Sequence, residues 1–203
     1  MSFVVVIPAR YQSSRLPGKP LQDIAGKSMI ERVYLQAKQS GAERVVIATD
    51  DQRIVDAAND FGAEVVLTAT THESGTERLA EVCQKLNFAD DTIVVNVQGD
   101  EPLITGELLD QLVTPMLEDA SLEMATLGRS MDVEALAAQT TAKIILNKKS
   151  EALYFSRFPI PYSRREAGET PGACLKHIGM YAYRKSFLKE FCEQEPVAIE
   201  SQE

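Results

Sequence analysis

The sequence has 203 residues, 44% of them hydrophobic and 25% charged, with 21 lysines and arginines against 30 aspartates and glutamates and a formal net charge of −9. That length suits one sizeable domain with a small appended lobe, and the composition is that of an ordinary water-soluble globular protein. An acidic pI near 4.9 argues against bulk attraction to nucleic acid or an anionic membrane, while leaving room for a locally basic pocket that takes a small anion.

The first predicted element is "FVVVI" (3–7), a continuous apolar run of the kind found in strands covered on both faces. A helix is predicted from about Ser28 to Ser40, with Met29, Ile30, Val33, Tyr34 and Ala37 on one side and Gly41 as its stop. "RVVIA" (44–48) reads as a strand, "DDQRIVDAANDFG" as a helix ending at Gly62, and "EVVL" (64–67) as the next strand. A helix from Gly75 to about Leu86 and the strand "TIVVNV" (92–97) follow, then a helix over 105–118 and a strand over 123–128. Strands alternating with helices predict an α/β fold, a three-layer α/β/α sandwich around a mostly parallel sheet.

Past Asp132 the alternation weakens. "AKIIL", "ALYFS" and "CLKHIGMYAYR" read as strands without helices between them, which predicts a mixed or antiparallel lobe serving as a lid or for dimerisation. The polar stretch "YSRREAGETPG" (162–172) reads as an exposed loop. The whole is expected to be a single domain over 1–203, with an α/β core over 1–132 and this mixed or antiparallel part over 133–203. The N-terminus lacks the features of a signal peptide and no apolar run is long enough for a bilayer, so the cytoplasm is the expected compartment. Cys83, Cys174 and Cys192 are odd in number and widely spaced, which fits neither a disulfide framework nor a CxxC metal site.

Ligands of open parallel sheets bind beyond the carboxyl ends of the strands, so the loops there are the candidates. "PARYQSSRLPGK" (8–19) matches neither the Walker A nor the GxGxxG spacing. It nevertheless offers backbone amides, the hydroxyls of Ser13 and Ser14, and Arg10, Arg15 and Lys19 around a Pro17-Gly18 turn, which is what a triphosphate requires. A solvated basic loop is the plainer alternative. Asp50 and Asp51, after the second strand, either bond a ribose or base or cap the next helix. Ser74, Gly75 and Thr76 open a helix, whose free N–H groups favour an anion, although Ser74 and Glu77 also have capping-box spacing. Arg78 in that first turn opposes the helix dipole, which favours a ligand role. "NVQGDEPL" (96–103) puts Asp100 and Glu101 at a strand end after Gly99, a good start for Mg²⁺ held by one or two carboxylates plus substrate phosphates; a surface turn with incidental acids is the alternative.

Taken together, "IPARYQSSRLPGKPLQDIAGKSMI", "SGTERL", "VNVQGDEPLI", "ALYFSRFPIPY" and "KHIGMYAYR" resemble the bacterial 3-deoxy-manno-octulosonate (Kdo) cytidylyltransferases, with a match running from residue 2 to the end. The resemblance implies a nucleotide-diphospho-sugar transferase type of fold, a homodimer, and the reaction of CTP with Kdo to give CMP-Kdo and pyrophosphate for lipopolysaccharide synthesis. It implies that Arg10 and Lys19 contact the triphosphate, that Pro8, Ala9, Ser14, Asp50, Ser74, Gly75 and Gln98 place the nucleotide, and that Asp100 holds Mg²⁺. Gln98, Arg78, Arg157, His177, Tyr181, Glu200 and Glu203 are implied as sugar contacts. Two departures stand out: "QTTAKI" (139–144) keeps Lys143 but alters the Asn-Pro-Asn turn usual before it, and the "VDTPEDL"-type segment expected to bring a second metal-binding aspartate would lie after "PVAIESQE". Two alternatives stay open: a synthetase for another acid sugar, such as sialic acid or an amino-substituted Kdo, and a non-catalytic nucleotide-binding regulator.

Overall fold

The structure, a computed structural model, describes residues 2–12, 16–162 and 174–195. They fall into two compact units, Met1–Ala125 with Met180–Glu203, and Thr126–Gly179.

In the first unit, strand β1 (Phe3–Ala9) leads to a single 3₁₀ turn at Lys19–Leu21 and a small antiparallel hairpin, β2 (Asp23–Ile24) and β3 (Lys27–Ser28). Helix α1 (Met29–Ala37) starts at Ser28, whose hydroxyl accepts from Glu31 N. Then come β4 (Arg44–Thr49), α2 (Gln52–Asp60), β5 (Glu64–Leu67), α3 (Gly75–Lys85), β6 (Ile93–Asn96) and α4 (Gly106–Glu118). The strands order as β5-β4-β1-β6, all parallel, with Val4 opposite Arg44 and Phe3 opposite Ile93.

Residue parity divides the strands' side chains between two helical layers. Val4, Val6, Val46, Ala48 and Val94 pack with Leu79, Val82 and Cys83 of α3 and with Leu188 of the helix that closes the described chain. Their neighbours Val5, Ile7, Val45, Ile47, Ile93 and Val95 are equally buried and point to the opposite face, where α1 and α4 contact one another and the strands. The expected α/β/α layering is therefore present, and every strand and helix predicted before residue 123 occurs within a residue or two of its expected bounds, α1 ending slightly early.

β7 (Met124–Arg129) carries the chain into the second unit, which holds α5 (Val133–Ala137), β8 (Lys143–Leu146) and β9 (Ala152–Ser156). β8 and β9 form an antiparallel hairpin. Asn147 Oδ1 shapes its turn by accepting from the backbone of Lys149 and Glu151. β10 (Cys174–Arg184) begins in this unit, antiparallel to β8, and ends in the first, where Tyr181–Arg184 run antiparallel to β6. The antiparallel character expected of this part is present.

α6 (Lys185–Glu193) follows β10 and packs on α3. Neither α5 nor α6 was expected. α5 is too short to show a period, whereas Phe187, Leu188, Phe191 and Cys192 of α6 do recur at helical spacing. Arg184, 6% exposed, anchors this end of the first unit by donating to the carbonyls of Leu122, Asp91, Met116 and Asp119. All three cysteines are free. Of the expected loop at 162–172, only Tyr162 lies within the described residues, and it is exposed.

Candidate active site

The carboxyl ends of β1 and β6, the Lys19 turn and the start of α3 enclose a cleft of 510 Å³ in the first unit. Pro8, Ala9, Arg10, Lys19, Gly75, Gln98 and Asp100 line it, which brings together most of the residues expected at the nucleotide. Gln12 and Leu16 line it as well, and neither was singled out from the sequence.

The basic loop is pinned at both ends. Gly18 N donates to Tyr11 O at 2.8 Å, and the Tyr11 ring lies against Gly18 on one side. The Arg53 guanidinium lies over the same ring, 3.3 Å from its centroid, and is itself held by Asp51. Gly18 has φ 72°, and a Cβ there would sit 3.2 Å from the Tyr11 ring, so both backbone and packing require glycine. Lys19 and the buried Pro20 follow directly, fixing where the lysine begins.

From there Lys19 Nζ reaches Asp100 Oδ2 at 2.6 Å. The side chains of this pair are 36% and 48% exposed, and a pair so exposed contributes on the order of 0–1 kcal/mol. Both groups are therefore readily available to a ligand. Arg10 Nη2 donates to the carbonyl of His72. Gly99 allows the close approach of the two strand ends, since a Cβ there would lie 2.9 Å from Pro8 O.

At the start of α3, Ser74 accepts from Glu77 N, so its hydroxyl is engaged as a cap. Gly75 faces the cleft beside Pro8. Asn96, 3% exposed and next to Gly75, has its Oδ1 without a hydrogen-bond partner among the described residues.

Asp50 and Arg78, expected at the nucleotide and at the sugar, are brought together as a pair. Arg78 is fully buried: Nη2 donates to Asp50 Oδ2 at 2.8 Å, and Nη1 donates to Thr68 Oγ1 and toward Ala69 O. The enclosed guanidinium and Asp50 form an ion pair beneath the 68–74 loop, with Arg78 Nε left without a hydrogen-bond partner among the described residues. Asp51, not Asp50, caps α2, and the side-chain bond from Arg53 lowers its pKa.

The sugar contacts expected in the second unit are Arg157 and His177. Arg157 follows β9 and is exposed, while its carbonyl accepts from Lys143 Nζ at 2.6 Å. Lys143, fully buried, also donates to Ala138 O, and burial lowers its pKa. The retained lysine thus fixes the backbone from which Arg157 projects. His177 Nε2 lies 2.9 Å from Thr126 Oγ1, its ring meets Phe155 edge-on, and burial lowers its pKa. Tyr181 belongs to the first unit, where its half-buried ring stacks on Tyr183. Ser14, Glu200 and Glu203 lie outside the described residues.

Asp100 is the carboxylate that faces the cleft, and among the described residues no three His, Cys, Asp or Glu gather into a metal site. One carboxylate beside two cationic side chains fits a hard divalent ion that takes phosphate oxygens and water as its remaining ligands, not an all-protein cage.

Comparison with known proteins places the chain in a family. The cytidylyltransferase family model matches residues 4–203. The chain is 53% identical to the 3-deoxy-manno-octulosonate cytidylyltransferase of Photobacterium profundum, over 100% of this chain and 84% of that protein. It is 48% identical to the protein of that name from Haemophilus influenzae, over 100% and 83%. The solved structure of a CMP:2-keto-3-deoxy-manno-octonic acid synthetase complexed with CTP superposes with a TM-score of 0.92 at 44% identity, covering 100% of this chain and 82% of that one. A cytidylyltransferase from Leptospira borgpetersenii, 18% identical with a TM-score of 0.63 over 98% and 68% of the two chains, shares the fold.

Proposed function

This chain belongs to the 3-deoxy-manno-octulosonate cytidylyltransferases, and we propose on that footing how its residues carry out the family's reaction. The enzyme is a nucleotidyltransferase that forms CMP-Kdo and pyrophosphate from CTP and Kdo. The observation that carries the residue assignments is the cleft itself, where Arg10, Lys19 and Asp100 converge on the carboxyl ends of β1 and β6 beside the start of α3.

CTP lies with its triphosphate along the Arg10–Lys19 loop and its nucleoside toward Pro8, Ala9, Gly75 and Gln98. The sugar's anomeric hydroxyl attacks the α-phosphorus; the new P–O bond forms as the bond to pyrophosphate breaks, and the hydroxyl proton leaves to solvent. Catalysis of such transfers rests on positioning and charge stabilisation, and no covalent enzyme intermediate is needed. Lys19 gives up Asp100 to hold the β- and γ-phosphates, and Arg10 spreads its guanidinium over oxygens that gain charge on the leaving group. Asp100 is the residue that would hold Mg²⁺, which would supply Lewis-acid stabilisation of the phosphate oxygens.

Arg157 pairs with the sugar carboxylate. His177, neutral because burial disfavours its cation, offers hydrogen bonds to sugar hydroxyls, as does Tyr181. The product, an activated acid sugar, serves lipopolysaccharide synthesis. Among the described residues no helix is long and apolar enough to cross a membrane, and the need for CTP places the reaction in the cytoplasm. Leu153, Tyr154, Phe158 and Tyr162, all exposed on or after β9, support a homodimer.

Pyrophosphate release tests this reading. It should require CTP, Mg²⁺ and Kdo together, and should be much slower when sialic acid replaces Kdo. Equal rates with both sugars would remove the assigned sugar specificity, and release without any sugar would remove the transfer.

A further inference from the structure

A guanidinium that stabilises a leaving group must be aimed, and Arg10 is aimed by the carbonyl of His72, to which its Nη2 donates. That carbonyl sits in the segment 68–74 between β5 and α3, where Ala69, Thr70, Thr71, Glu73 and Ser74 are all exposed. Such a segment keeps its path only if something ties it down.

One carboxylate does most of this. Glu81 Oε2 accepts from Ala69 N at 2.8 Å and lies 2.5 Å from His72 Nε2, bracing the segment at two points three residues apart. Its other oxygen is 2.8 Å from Lys85 Nζ, which also donates to Leu67 O. One turn earlier on the same helix, Glu77 Oε2 accepts from Glu73 N and lies 3.5 Å from His72 Nδ1. Glu77 and Glu81 share a face of α3 because they are four residues apart. Glu81 is an ionised acceptor, its carboxyl held at about 2 by Lys85, the Ala69 N–H and His72 despite burial, so His72 Nε2 is the donor.

We propose that His72 and Glu81 are positioning residues for Arg10: the imidazole, tied to Glu81, fixes the His72 carbonyl and through it the guanidinium at the triphosphate. This rests on the reading above that Arg10 binds the triphosphate. Neither side chain touches substrate; each acts through the segment it holds.

The test is a mutant cycle of His72→Ala and Arg10→Ala on the whole chain, with Glu81→Gln as a conservative companion, measuring kcat and both KM values beside a thermal melt. His72→Ala should lower kcat/KM for CTP by roughly ten- to a hundredfold, the scale of a misplaced catalytic contact, with the KM for Kdo unchanged. Glu81→Gln keeps an acceptor for the ring and should lose less. In the Arg10→Ala background, His72→Ala should add almost nothing, because the residue it aims is gone. A merely structural cluster would give the same loss in both backgrounds, or a fall in kcat that tracks the folded fraction with both KM values intact; either would overturn the proposal. If Arg10→Ala is itself near normal, the triphosphate role of Arg10 fails. If Arg10→Ala is impaired but His72→Ala is not, only the positioning role fails.

Discussion

Lys19 and Asp100 face each other across the cleft at 2.6 Å as an ion pair, which the proposed binding of phosphates and a divalent ion would separate. Loss of a preorganised charge contact to an oxygen that gains charge costs about 3–4 kcal/mol, so Lys19→Ala should lower kcat by roughly two to three orders of magnitude while leaving the melting temperature nearly unchanged. Arg157→Ala should act on the other substrate, raising the KM for Kdo and sparing that for CTP in steady-state kinetics. At this scale the sequence shows which side chains are unusual for their surroundings: cations in an acidic chain, and a carboxylate after a strand-end glycine. It does not show which charges face inward. Arg78 and Asp50 stand next to motif residues, yet the guanidinium is completely buried and paired with the Asp50 carboxylate. Burial is a property of the fold, and neither residue carries a local mark of it.

The elements set the spacing of these residues through a few close contacts. Gly99 lets the chain after β6 pass the end of β1, and a Cβ there would meet Pro8 O at 2.9 Å. Gly99→Ala should therefore displace Gln98 and Asp100 and lower kcat, with the melting temperature as the control for folding. Gly106 is tighter still: at the first turn of α4, a Cβ would lie 2.5 Å from backbone atoms of Gln39 and Ser40 after α1. Overpacking of this kind costs about 1–3 kcal/mol or more, so Gly106→Ala should lower the denaturation midpoint markedly in a urea titration. The strands of the core were legible because fully buried parallel strands are unbroken apolar runs, and the helices because each pairs a buried stripe with a capping residue such as Ser28 or Asp51. The two-residue strands β2 and β3 were not, since Ala25 and Gly26 turn them with positive φ but leave no run long enough to show a period. α6 follows β10 without a break, so its helical spacing of Phe187, Leu188, Phe191 and Cys192 stands directly against a strand pattern.

For the molecule as a whole, the net charge of −9 describes the surface and says little about the cleft, where Arg10 and Lys19 gather. Its acidity has a consequence for stability. Glu81 has a pKa lowered from the usual 4.5 to about 2 by hydrogen bonds that outweigh its burial, and Glu77 and Asp51 are also lowered, chiefly by bonds from Glu73 N and Arg53. A carboxylate more acidic when folded adds stability that is complete above its unfolded pKa and is lost as pH falls through its folded one. Unfolding free energy should therefore drop between about pH 4.5 and 2, and Glu81→Gln should flatten that drop. The assembly has its own check: light scattering should give twice the chain mass, and Leu153→Asp on the exposed face of β9 should shift it toward the monomer. The account stands most directly on the chemistry of its product. The chain incubated with CTP, Kdo and Mg²⁺ should yield a nucleotide with the mass of CMP-Kdo and an equal amount of pyrophosphate, both formed roughly two to three orders of magnitude more slowly by Lys19→Ala. Hydrolysis of CTP without a CMP-sugar product, or undiminished CMP-Kdo formation by the variant, would contradict it.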